Sequence, residues 1–180
     1  MFLTKLTLFL DSINRWAASI FQWLVFILTL VMFYDVIMRY IFNKPTIWSF
    51  DIEYMLGGSF FVLGIGYTLL KEKHVRVDVF YMHFKERTQA IIDIALYIII
   101  FFPTFGLLLI KAIPWVITSW ERGERTSESY WMPPIYPLKT ILLIGIILLV
   151  IQGISELIKH IKKLKESLKN GGEKDELSQY

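Results

Sequence analysis

Two acidic side chains in this sequence sit where ion or proton coupling could use them: Glu53, just inside an apolar run, and Asp93, near the start of another. An ionisable group within a bilayer is costly and is by default a functional candidate. Each nevertheless lies near the end of its run, Glu53 about one turn in, where a cap-like or interfacial role is the simpler reading; for Asp93, reaching the interface is preferred. Asp35 and Arg39 are spaced i, i+4 and are expected to neutralise one another. His74, His83 and His160 all fall outside the apolar runs, with no second histidine at i, i+4, which argues against a metal or haem site. The chain has no cysteine, which excludes disulfides, iron–sulfur clusters and thiol nucleophiles. No phosphate-cradling glycine loop, Ser/His/Asp set or pair of carboxylates in a common pocket can be assembled. Enzyme chemistry is therefore not expected, and neither is a cofactor.

The elements that must position these residues are membrane helices. Of the 180 residues, 55% are hydrophobic and only 19% charged, against roughly 45–50% and 25% in soluble domains. The apolar residues fall in four blocks, about Ala17–Met38, Tyr54–Leu70, Ala90–Ile110 and Leu138–Ile158, each near the ~20 residues that cross ~30 Å of hydrocarbon, and the spans built on them are expected at about 17–38, 48–71, 90–114 and 138–158. The expected fold is all-α, an integral membrane protein of four transmembrane helices. Residues 1–16 form a short interfacial helix in this reading, and 159–180 a basic tail that leaves the membrane, frays and becomes disordered at Asn170-Gly171-Gly172. A cleaved signal peptide does not fit, because the first apolar block is too long and no small-x-small site follows it. Thirteen lysines and arginines lie in the N-terminal segment, second loop and tail, against six in the first and third loops. The positive-inside rule then places both termini in the cytoplasm. The basic residues flank apolar helix ends, so membrane lipids account for the net charge of +3 and no nucleic-acid partner is expected.

Helical periodicity shows what the spans offer to partners. In the second, Glu53, Gly57, Phe60, Gly64, Thr68 and Lys71 share a stripe of about 80°, and small residues on such a stripe admit another backbone. Ordinary packing within the chain is the simpler account of a glycine-rich helix; a carboxylate heading the stripe favours a dedicated partner surface. Before it, Arg39 to Glu53 combine a turn at Asn43-Lys44-Pro45, an interface-type Trp48 and an N-cap at Ser49, the mark of a binding edge. The first span carries Asp11, Arg15, Gln22 and Thr29 on one face, the third Asp93, Tyr97, Thr104 and Lys111, and the fourth Gly145, Gln152 and Glu156. Pro103 should kink the third span, and Pro114 and Trp115 should mark its outer boundary.

Taken in order, Arg39-Tyr40-x-Phe42 with Pro45, Trp48 and Glu53, the glycines of the second span, His74-Val75-Arg76-Val77-Asp78, and Pro137-Leu138 resemble the small membrane subunit of tripartite ATP-independent periplasmic (TRAP) transporters, the DctQ-type small permease. The resemblance covers roughly Ala17–Ile158 and leaves the charged run Glu121–Glu128 and the tail unmatched. It implies a scaffold in the bacterial inner membrane that anchors a large multi-span permease subunit, with a periplasmic substrate-binding protein docking on the outer face. It further implies sodium-driven import of an organic acid, the sodium and substrate sites lying on the large subunit. Arg39, Trp48, Glu53, Gly57, Phe60, Gly64 and Thr68 are then the expected contacts to that subunit, and His74, Arg76 and Asp78 a cytoplasmic motif. The competing reading is a self-sufficient antiporter, a homodimer with Glu53 or Asp93 as its proton-coupled carboxylate; it requires a carboxylate near the bilayer centre. A membrane redox enzyme would need the intramembrane histidines and the cysteines that are missing.

Overall fold

A computed structural model describes residues 2–71 and 86–177. All secondary structure among them is helical: α1 (Phe2–Tyr40), α2 (Ser49–Leu70), α3 (Glu86–Leu96), a π-helical turn (Tyr97–Phe101), α4 (Phe102–Glu121) and α5 (Tyr136–Leu177). With α3, the π turn and α4 forming one continuous rod, four helices are long and apolar enough to cross a membrane. The chain is a multi-pass membrane protein.

The helices overrun the apolar blocks. The N-terminal segment and the first span form one unbroken helix of 39 residues, and α5 has 42, about 58 and 63 Å at 1.5 Å per residue. Both exceed the ~30 Å of hydrocarbon. Asn170-Gly171-Gly172 lies within α5, and Pro114 within α4, which continues to Glu121. Composition locates where apolar residues stop, whereas a helix persists as long as its backbone bonds and neighbouring helix support it.

α5 is the central helix and packs on α1, α2, α3 and α4, while α1 also packs on α2. Their apolar core is small: Ala17, Leu63 and Leu148, backed by Ile13, Phe21, Leu24 and Ile141. The largest fully buried side chains are polar, Gln152, Glu156, Asn14, Ser119 and Ser155, whereas Trp16, Trp23, Phe33 and Ile99 are exposed. A bilayer accounts for this inversion, since lipid is as apolar as leucine and helices there associate through close packing and polar contacts.

Three glycines permit that packing. A Cβ on Gly66 would lie 2.5 Å from Asn14 Oδ1 and 3.3 Å from the Leu148 carbonyl, one on Gly145 would strike Val62, and one on Gly153 the Phe101 ring. Phe101 is turned onto α5 by the π turn. Pro103 has no N–H and would crowd the carbonyl four residues back, and widening the preceding turn relieves both problems. The expected kink at Pro103 is thus a π turn just before it.

Candidate functional site

At the end of the bundle where α1 begins, α1 and α5 are joined by a buried polar network. Asn14 Nδ2 donates to Gln152 Oε1 at 3.0 Å and to the Leu148 carbonyl at 3.3 Å. Gln152 Nε2 in turn donates to Asp11 Oδ1 at 3.0 Å and to Glu156 Oε1 at 2.9 Å. Ser155 Oγ donates to Asp11 Oδ1 at 2.6 Å, and Lys159 Nζ bridges Asp11 Oδ2 and Glu156 Oε1, each at 2.8 Å. The polar faces read from the first and fourth spans therefore meet through Asp11, Gln152 and Glu156. Asn14, Ser155 and Lys159 complete the network; the serine and lysine lie one turn from Gln152 and Glu156, the one signal that could have found them.

Beside the network, His160 Nδ1 lies 3.1 Å from Asp93 Oδ2, and the Tyr97 ring stacks obliquely 5.8 Å from the imidazole. Asp93 thus pairs with α5 instead of merely reaching the interface, which sequence reading could not see because His160 lies beyond the last apolar block.

At the far end, Asp35 governs the turn between α1 and α2. Its carboxylate accepts from Arg39 Nη2 at 2.7 Å, from Ser49 Oγ at 2.8 Å and from Thr46 Oγ1. Ser49 does not cap α2: Trp48 occupies the cap position with no side-chain bond, and the Ser49 hydroxyl is drawn to Asp35 instead. Trp48 stacks on Tyr34 at 5.8 Å, and Asn43 takes the left-handed conformation, φ 51°, that lets the chain turn. The third loop, unmatched in the sequence, closes by backbone pairing of Thr126 with Pro133 and of Ile135 with Glu124. Glu124 forms an ion pair with Lys139, whose ammonium also sits 4.3 Å from the Trp115 ring centroid. The lysine holds the Glu124 carboxyl below its ordinary range.

α2 presents two opposite faces. Asp51, Ser59, Leu63 and Gly66 are buried inward, and Asp51 Oδ2 has no hydrogen-bond partner among the described residues. Sequence reading missed Asp51, which lies two positions from Glu53 and hence about 200° round the helix. Glu53, Gly57, Phe60, Gly64 and Thr68 occupy the side turned away from the core. Added Cβ atoms at Gly57 and Gly64 would meet nothing within 4 Å. The Thr68 hydroxyl is satisfied within the helix, donating to the Gly64 carbonyl at 3.0 Å. Glu53 is half-buried and makes no hydrogen bond or ion pair among the described residues.

This stripe borders a lateral groove of about 500 Å3 between α1 and α2, lined by Arg15, Ser19 and Gln22 on one wall and Phe60, Gly64, Tyr67 and Thr68 on the other. The polar face of the first span is thus divided: Asp11 is buried against α5, Arg15 and Gln22 open into the groove, and exposed Thr29 donates to its own helix at the Val25 carbonyl, 2.8 Å away. Arg39, held by Asp35, and Trp48, stacked on Tyr34, are engaged within the chain at the head of the stripe. His74, Arg76 and Asp78 lie outside the described residues. No group of three potential metal-ligating side chains occurs among the described residues. The chemistry of the groove is that of a surface for another helix: small side chains for close approach, an amide and hydroxyls for hydrogen bonds, and the Arg15 guanidinium, with Glu53 about two turns beyond Phe60 on the same stripe.

A family model described as tripartite ATP-independent periplasmic transporters, DctQ component, matches residues 28–163, about three quarters of the chain. No curated protein matches.

Proposed function

The chain belongs to the DctQ component family of the tripartite ATP-independent periplasmic transporters, and on that footing we propose that it is the scaffold on which the large permease subunit is anchored. The observation that carries this reading is the open glycine stripe. Gly57 and Gly64 lie on the side of α2 turned from the core, with nothing within 4 Å of an added Cβ among the described residues, while Gly66, Gly145 and Gly153 serve the packing inside the bundle. Gly58 and Gly106 are open as well, so it is the placement of Gly57 and Gly64 on one face headed by Glu53 that points to a packing role in a neighbour, since each glycine in a helix costs about 1 kcal/mol relative to alanine. The expected contacts are Glu53, Gly57, Phe60, Gly64 and Thr68, with Arg39 and Trp48 framing their outer end. A half-buried Glu53 with no donor among the described residues calls for one from the partner.

In this reading the protein resides in the bacterial inner membrane with both termini cytoplasmic, as the distribution of basic residues indicates. The far end, with the α1–α2 turn and the third loop, faces the periplasm, where a substrate-binding protein delivers an organic acid that the large subunit imports with sodium. Reporter fusions at Tyr180 and near Glu124 should report opposite sides of the membrane.

The decisive experiment is co-purification with the large subunit. Gly57→Leu and Gly64→Leu should each lower recovery of the complex, whereas Gly106→Leu, an equally open glycine on α4, should not. Equal recovery of all three would place the interface elsewhere. Glu53→Gln separates the scaffold from the antiporter: transport should fall only as far as complex formation falls. Loss of transport by an intact complex would assign Glu53 to coupling. Three of the other acidic groups argue for the scaffold, since Asp11, Asp93 and Glu156 are each bound to a basic side chain.

A further inference from the structure

α2 and α4 both rest on α5 without extensive contact with one another, and the space they leave is a laterally open groove of about 590 Å3. That volume lies within the ~300–1,000 Å3 of small-ligand pockets. Its walls are apolar, with Val62 from α2, Leu108, Ala112 and Trp115 from α4, and Ile146 from α5; the single charged group on it is Lys111. Lys111 is exposed and makes no ion pair or hydrogen bond among the described residues. It lies one turn, about 6 Å, below Trp115, close enough for its ammonium to extend toward the far-end interface marked by Trp115, Trp120 and Tyr136.

We propose that this groove holds an acyl chain of an anionic glycerophospholipid whose phosphate is paired with Lys111. A protein helix fits it poorly. Helices approach one another in membranes over small residues, and here Phe105, Leu108 and Trp115 project from α4, while Gly145 on the floor is already covered by Val62. A flexible hydrocarbon chain fills such an irregular wall. An unpaired cation beside hydrocarbon calls for an anion, and a lipid carrying a net negative charge supplies it, whereas the ammonium of a zwitterionic headgroup would oppose the lysine. The inference requires the large subunit to leave this groove open, and it holds whichever way the bundle crosses the membrane.

The test uses the full-length chain in its membrane complex, reconstituted into nanodiscs containing phosphatidylglycerol with a photoreactive diazirine on one acyl chain, or phosphatidylcholine with the same group. Cross-links are mapped by mass spectrometry. Phosphatidylglycerol should label peptides containing Leu108, Ala112 and Ile146 more strongly than phosphatidylcholine does. Lys111→Ala should reduce that labelling about fivefold, the factor for one basic group acting on an anionic lipid. Lys111→Arg should retain it, and Leu108→Trp, which fills the groove, should abolish it. Equal labelling by both lipids, unchanged in Lys111→Ala, would mean that only bulk lipid bathes the groove and would overturn the proposal. So would groove peptides left unlabelled by both lipids, which would mean that the groove is closed to lipid.

Discussion

Alanine at Gly66 and alanine at Gly64 should change stability in opposite directions, although the two glycines are half a turn apart on one helix. At Gly66 the new Cβ would stand 2.5 Å from Asn14 Oδ1 and 3.3 Å from the carbonyl carbon and oxygen of Leu148. Asn14 cannot swing aside without cost, because its amide is bound to Gln152 at 3.0 Å and to Leu148 at 3.3 Å, and its side chain is buried. Overpacking of this kind costs roughly 1–3 kcal/mol, and each loosened hydrogen bond about 0.5–1.5 kcal/mol. Against that stands a gain of up to about 1 kcal/mol in helix propensity, leaving a net loss of roughly 1–5 kcal/mol. At Gly64 the same propensity gain meets nothing within 4 Å, so Gly64→Ala should be neutral or up to about 1 kcal/mol stabilising in the isolated chain. The assay is unfolding of the purified chain in mild detergent by added dodecyl sulfate, followed by circular dichroism. A Gly66→Ala protein as stable as Gly64→Ala would refute the reasoning, because α1, α2 and α5 could not then meet at this point as closely as described.

Asp35→Ala removes the shared acceptor of Arg39, Thr46 and Ser49 and should destabilise the α1–α2 turn by roughly 2–4 kcal/mol, visible as faster proteolysis within residues 41–48. Asp11→Ala strips Ser155, Gln152 and Lys159 of one acceptor; with Lys159 about one-third exposed, the loss should fall near 2–3 kcal/mol, less in Asp11→Asn, in the same dodecyl sulfate titration. Because the Glu124 carboxyl is held below its ordinary range, its tie to Lys139 is fully present above the unfolded value of about 4.3 and is lost as pH falls through the lower folded value. Tryptophan fluorescence, reporting Trp115 beside Lys139, should therefore change on acidification below about pH 4.3, and Glu124→Gln should show the acid-state signal at neutral pH.

What was legible in the sequence is what depends on neighbours along the chain. Run length and composition decide that there are four membrane helices, and the 100° step per residue decides which side chains share a face, so the stripe from Glu53 to Thr68 and the polar faces holding Asp11, Gln152 and Glu156 could be read directly. Which way a face points is not a local property. Gly57 and Gly66 look alike in sequence, yet one opens outward and the other lies against Asn14, because only the placement of α1 and α5 decides which side of α2 is inside. Asp11 and Ser155 are 144 residues apart, and Asp93 and His160 are 67; no spacing rule relates them. Asp35 shows the division within a few residues. Its i, i+4 pairing with Arg39 follows from helix geometry, but its capture of Thr46 and Ser49, which takes Ser49 from the cap of α2, exists only because Asn43 turns the chain back. Tertiary structure decides such contacts because a buried carboxylate requires donors from whichever element the fold brings to it.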